Sequence, residues 1–98
     1  MLEVRKTETF AAWIDTLRDR EARSRILVRI DRLATGNPGQ HRVLGGGVSE
    51  LKIDHCPGYR VYYHQRGTTV VILLCGGTKS AQRSDIRTAQ AMARQLET

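Results

Sequence analysis

The sequence predicts an α+β fold, a small and mainly antiparallel sheet packed by helices, in the order strand, helix, helix, strand, strand, strand, helix. Three observations lead there. Residues 57–80, PGYRVYYHQRGTTVVILLCGGTKS, hold an aromatic and β-branched run from Tyr59 to His64, a polar Arg66-Gly67 turn, and a nearly continuous apolar run from Thr68 to Cys75. This is a hairpin, and its second strand needs cover on both faces, which places it in the middle of a sheet. Second, Phe10, Trp13, Ile14 and Leu17 recur at helical spacing, as do Ala22, Ile26, Ile30 and Leu33. Third, 98 residues with 40% hydrophobic content make one buried core and are too few for two.

In chain order, Leu2 to Lys6 alternates apolar and charged residues and reads as a strand that joins the sheet. Thr7 or Thr9 can cap the first helix, which is expected to end near Asp19, and Asp19 can cap the second. Gly36-Asn37-Pro38-Gly39 stops that helix. Gln40 to Gly47 is a basic, glycine-rich loop. No Gly-Lys-Ser/Thr follows it and no strand precedes it, so it reads as a flexible lead-in to a strand rather than a P-loop. Val48 to Asp54 alternates as a strand with one buried and one polar face. In the hairpin's first strand, Tyr59, Val61 and Tyr63 lie opposite Arg60, Tyr62 and His64, which puts the latter three on a polar surface. Gly76-Gly77 releases the chain and leaves Lys79 near the edge where Arg60 emerges. Ser84 can cap a last helix with a narrow stripe of Ile86, Ala89, Met92 or Ala93, and Leu96.

The formal net charge is +6, from sixteen Lys and Arg against ten Asp and Glu. Such a field calls for an acidic partner, either nucleic acid or an acidic protein surface. Many of the arginines lie on helix faces beside acids, as in Arg18-Asp19-Arg20-Glu21, and read as solvated; Arg29 is taken as an ordinary surface charge of this kind. No apolar run approaches the ~18 residues of a membrane span, and charges stand where a signal peptide has its apolar region, so a cytoplasmic protein with no membrane partner is expected. Cys56 and Cys75 lack metal-ligand spacing. Reduced thiols, no metal and no cofactor are expected.

Trp13, the Gly36-Asn37 turn, Val48-Ser49-Glu50-Leu51-Lys52-Ile53, Pro57-Gly58-Tyr59-Arg60-Val61-Tyr62-Tyr63 and Leu73-Leu74-Cys75-Gly76-Gly77-Thr78-Lys79-Ser80 closely resemble the RelE/ParE toxin superfamily, in particular its HigB-like, or addiction module killer, subgroup. The resemblance spans nearly the whole chain. It implies a single toxin domain with the RelE-like microbial RNase fold, acting in a type II toxin–antitoxin module by metal-independent cleavage of mRNA on the translating ribosome. It also implies an antitoxin partner, commonly a helix-turn-helix protein in this subgroup. The alternatives are a ParE-like inhibitor of DNA gyrase, non-catalytic on the same fold, and an inactive nucleic-acid-binding regulator.

The chemistry of RNA transesterification needs a deprotonated 2′-hydroxyl, a stabilised phosphorane and a neutralised leaving oxygen. Lys52, Arg60 and Lys79 come from three consecutive strands or their ends, and a strand spacing of about 4.8 Å brings such groups to one phosphate. Arg60 is the candidate for bidentate binding. By resemblance Lys79 aligns with a catalytic arginine, Glu50 stands where RelE toxins carry a second lysine, and their tyrosine near the last helix has no counterpart here. Glu50 reads as a salt-bridge partner of Arg60 or Lys52, with a general-base role open if burial raises its pKa. His64 is a candidate for proton transfer. Tyr62, by stacking on a base, and Arg42 and Arg83, by charge, are the expected RNA contacts.

Overall fold

The computed structural model describes residues 1–96. The fold is α+β, with strands β1 (Glu3–Lys6), β2 (His41–Gly45), β3 (Val48–Ile53), β4 (Tyr59–Arg66) and β5 (Val70–Thr78), and helices α1 (Glu8–Thr16), α2 (Arg20–Ala34) and α3 (Gln82–Gln95). The sheet runs β1-β5-β4-β3-β2, so the β4–β5 hairpin lies inside it. β1 pairs with β5 in parallel and every other pair is antiparallel. Among the described residues no helix is long and apolar enough to cross a membrane.

The caps explain where the helices start. The Thr7 hydroxyl accepts from the Phe10 N–H at 3.1 Å, and the Asp19 carboxylate accepts from the Ala22 N–H at 3.1 Å, each satisfying a donor that the first turn leaves open. α1 stops at Thr16, short of Asp19. α3 begins two residues before Ser84, after a 3₁₀ turn at Lys79–Ala81, and has no side-chain cap; the Ser84 hydroxyl instead donates to the Ala81 carbonyl at 3.2 Å. The glycine-rich loop is also corrected. His41–Gly45 is an edge strand, and Gly45, Gly46 and Gly47 take φ of +88°, +64° and +79° to turn the chain into β3. They form the turn of the β2–β3 hairpin.

The sheet has helices on both faces. Phe10, Ile14, Ala22, Ile26, Ile30 and Leu33 of α1 and α2 pack on Leu51, Ile53, Tyr59, Val61, Tyr63, Val71 and Leu73. On the other face, Ala89 and Ala93 of α3 pack with Val48, Tyr62, Ile72, Leu74 and Cys75. Tyr62 pairs with Cys75 but Tyr63 pairs with Leu73, which makes Leu74 the extra residue of a β-bulge. The Thr7 hydroxyl donates to the Leu74 carbonyl at 2.6 Å, tying the bulge to the start of α1. Beyond the bulge, two glycines admit neighbours on opposite faces. A Cβ on Gly76 would lie 2.3 Å from the Trp13 ring, and one on Gly77 would lie 1.9 Å from Asp85 Oδ2.

Candidate functional site

α3 covers only part of its face of the sheet. Arg42, Glu50, Tyr62 and Cys75 stand opposite one another across β2 to β5, and the next row holds Lys52, Arg60 and Gly77. Side chains of these rows line two adjoining clefts. One, of about 280 Å³, is lined by Gln40, His41, Arg42, Glu50, Lys52, Arg60 and Gln82. The other, of about 260 Å³, shares Lys52 and Arg60 and adds Asp54, His55, Gly58 and Lys79. Together they form one groove with Arg60 at its middle. A larger cleft, about 370 Å³ beside α2, is lined by Arg25, Val28, Arg29 and Arg32 and holds none of the expected catalytic residues. The groove around Arg60 is the candidate because it gathers cations around a buried arginine.

Arg60 is 4% exposed. Its Nη1 donates to the Tyr59 carbonyl at 3.0 Å, while Nε has no hydrogen-bond partner and lies 4.0 Å from Glu50 Oε1. That N–H is itself buried and faces the Glu50 carboxylate, so the two groups form a loose buried ion pair. Glu50, 3% exposed, accepts from Arg42 Nε at 3.0 Å and from Gln82 Nε2 at 2.8 Å. It is thus a salt-bridge residue, with Arg42 as its main partner and Lys52 outside the pair. Neither Lys52 nor Lys79 is in an ion pair among the described residues. The Lys79 N–H donates to the Gly58 carbonyl at 3.0 Å, which fixes the end of β5 against the start of β4 and holds Lys79 beside Arg60.

Residues 12–96 match the family described as Phage derived protein Gp49-like (DUF891). The chain belongs to that family. The match takes in every residue of the groove and leaves out β1. A protein of Haemophilus influenzae, itself named "Uncharacterized protein", is 41% identical over 95 residues, covering 97% of this chain and 96% of the relative.

In this Gp49-like chain, Lys52, Arg60, Lys79, Glu50 and Arg42 line one groove, with Arg42 on an edge strand and paired to Glu50, and three other expected residues lie elsewhere. His64 lies four residues along β4 from Arg60, roughly 13 Å at the strand rise, and its Nδ1 is hydrogen-bonded to the Gly47 carbonyl at 2.6 Å, outside the groove. Tyr62 is fully buried under α3, so no base can stack on it. Burial, with Glu50 and Asp85 nearby, pushes its phenol far above the usual range. It belongs to the core. Arg83 is exposed on the first turn of α3 and lines neither cleft.

Three residues of consequence escape the sequence reading. Gln82 anchors Glu50 to α3. Asp85 sits over Gly77 with Oδ2 buried and unpartnered, and burial raises its carboxyl above the ordinary carboxylate value. Arg29 is no surface charge: it donates to the carbonyls of Lys52 at 2.6 Å, Pro38 at 3.0 Å and Gln40 at 2.8 Å, clamping the lead into β2 onto the end of β3. None has a local signal, because each acts across the fold.

Proposed function

We propose that this Gp49-like protein is the toxin of a type II toxin–antitoxin module, a metal-independent endoribonuclease that inhibits translation by cleaving mRNA on the ribosome. The supporting observation is the convergence of Lys52, Arg60 and Lys79 on one groove, with Arg60 buried at its middle. In transesterification the ribose 2′-oxygen attacks phosphorus, the 5′-oxygen leaves with its electron pair and takes a proton, and a 2′,3′-cyclic phosphate remains. The charge that builds on the phosphorane is what a guanidinium fixed in a low-dielectric wall stabilises best. Lys52 and Lys79, on the same groove, supply further positive charge for the scissile phosphate and its neighbours.

The net charge of +6 and the open groove suit an acidic or amphipathic antitoxin segment, and the cognate partner is proposed to be a helix-turn-helix protein that covers Arg60 and Lys79. The test is expression without antitoxin. Protein-synthesis labelling should fall while DNA replication continues, and mapped mRNA 5′ ends should accumulate within codons. Early replication arrest with continuing translation would instead support the gyrase inhibitor. A chain that neither cuts RNA nor arrests growth would be the inactive regulator.

A further inference from the structure

The helices on the two faces of the sheet differ in how their charges are answered. On α2, Arg25 pairs with Glu21 at 3.2 Å, Arg23 donates to the Ile14 carbonyl at 3.4 Å and the Asp15 carbonyl at 3.3 Å, and Arg29 is spent on three carbonyls. Asp31 adds a further acid there, and Glu8 and Asp15 stand on α1. α3 carries Arg83, Arg87 and Arg94, all exposed and none in an ion pair among the described residues. Its one acid, Asp85, is turned inward over Gly77 with Oδ2 buried. Three unanswered charges thus ride on one helix of a chain whose net charge is +6.

They are also aligned. At 3.6 residues per turn Arg83, Arg87 and Arg94 fall within about 40° of arc and span roughly 16 Å of helix. Gln90 falls on the same stripe, and its Nε2 donates to the Gly45 carbonyl at 3.3 Å, so this flank faces the β2–β3 hairpin. At the other end Gln82, next to Arg83 in the chain, donates to Glu50 in the groove wall at 2.8 Å. The stripe therefore starts at the lip of the groove, where Arg42 of β2 also stands, and runs along the sheet edge toward the hairpin turn. The exposed Ser84, Thr88 and Ala91 on the adjoining arc are small, so the longer arginines stand clear of them.

The chemistry of this flank favours a polyanion over a protein surface. Among the described residues the exposed large apolar side chains are Met1, Leu27, Val28 and Val43, and none is on α3. A stable protein interface is anchored by apolar or aromatic side chains at its centre, whereas a phosphodiester strand is held by guanidinium groups without them. Resting on the nucleic-acid reading of the groove, we propose that Arg83, Arg87 and Arg94 form a backbone track for the single-stranded RNA that leaves the groove. The track holds about three extended nucleotides by their phosphates and is indifferent to their bases. It adds affinity, and the chemistry stays in the groove.

The test is binding of the purified full chain to 2′-O-methyl oligouridines, which cannot be cleaved, four and ten nucleotides long, over a range of salt. The wild type should bind the decamer roughly tenfold more tightly than the tetramer at low salt. Arg83→Gln/Arg87→Gln/Arg94→Gln should remove most of that gain, leave the tetramer little changed, and lower the decamer's salt slope by about 2, the value for three phosphate contacts on a single strand. Arg18→Gln/Arg20→Gln/Arg32→Gln removes the same charge from exposed positions on the other side of the sheet and should retain the gain. Circular dichroism checks folding, and the single substitutions, each lowering the slope by about 0.7, carry the test if the α3 triple variant does not fold. Equal losses in the two triple variants would show net charge alone at work and overturn the track, as would a length gain that survives the α3 variant. Poly-glutamate of ten residues that binds as tightly as the decamer and is weakened by the α3 variant would assign the stripe to an acidic protein and overturn it too. In each of these cases tetramer binding that is lost in Lys79→Ala leaves the nucleic-acid reading of the groove standing. No binding of either oligomer overturns both.

Discussion

The two faces of this sheet are formed by the same strands, yet one is sealed and the other is half open. Against α1 and α2 every row is filled by large side chains, Leu51 and Ile53 on β3 meeting Ile26, Ile30 and Leu33 on α2. Against α3 the fully buried contacts are Ala89 and Ala93, small residues that let the helix lie close, flanked by the partly buried Ile86, Met92 and Leu96. The rows beyond its edge hold Glu50, Lys52 and Arg60. These charges are dried by the sheet and by one flank of a helix, while their tips still face a cleft. The difference teaches that this fold separates its duties by face: apolar volume holds the sheet on one side, and incomplete cover concentrates charge on the other.

Substitutions can break this separation. Ile26→Ala removes a fully buried side chain from the sealed face and should cost about 2–5 kcal/mol of stability in denaturant melts, whereas Lys52→Ala in the groove should stay within about 0.5 kcal/mol. Equal costs would show that the groove holds the fold as well. Arg60→Lys keeps the charge and removes the fork, and should lose about 2–4 kcal/mol of transition-state stabilisation in single-turnover cleavage on programmed ribosomes, with ribosome binding little changed. Wild-type cleavage would remove Arg60 from the catalytic groups. Arg29→Ala releases three carbonyls and should cost about 1.5–3 kcal/mol, with faster amide exchange at Lys52, whose N–H donates to the Gln40 carbonyl at 3.1 Å.

The smallest effects lie in two aspartates of opposite sign. The Ala22 N–H and then His55 hold the Asp19 carboxyl below its usual value of 3.8, so its contribution is present above 3.8 and is lost as pH falls through its lower folded-state value. Asp19→Ala should therefore flatten the acid side of the stability profile. Asp85 is raised by burial, so its folded form prefers the proton: its contribution is present below 3.8 and is lost as pH rises through the higher folded-state value. Asp85→Asn should raise the melting temperature at neutral pH and leave it little changed in acid. Melts of both variants from acid to neutral pH read the two signs together.

What the chain revealed in advance follows the range of the forces involved. The β4–β5 hairpin, the stripes of α1 and α2, and the caps at Thr7 and Asp19 are local patterns, and they stand where the residues place them. β2 hid because an edge strand needs only backbone partners; Val43 is 77% exposed, so no apolar alternation marks it. Tyr62 was misplaced because alternation tells which face a residue takes and is silent on how far a distant helix reaches across that face. Lys52, Arg60 and Lys79 were legible as a set because neighbouring strands carry them. Gln82 and Arg29 were not, since the partner of Gln82 lies 32 residues away and those of Arg29 lie 9, 11 and 23 away, all beyond the reach of local periodicity.

Leu74 gives β5 a change of phase. Up to that residue odd numbers face α1 and α2, as Val71 and Leu73 do; after it the parity inverts, and Cys75 and Gly77 face α3. The strand therefore cannot be read from end to end by counting in twos. A comparison of relatives that tallies parity through this stretch will credit Trp13's notch to the wrong glycine. Length matters here alongside the two glycines: one residue gained or lost between Leu74 and Lys79 would rotate the emerging chain by half a turn and turn Lys79 away from the groove, although no residue of the groove itself had been altered.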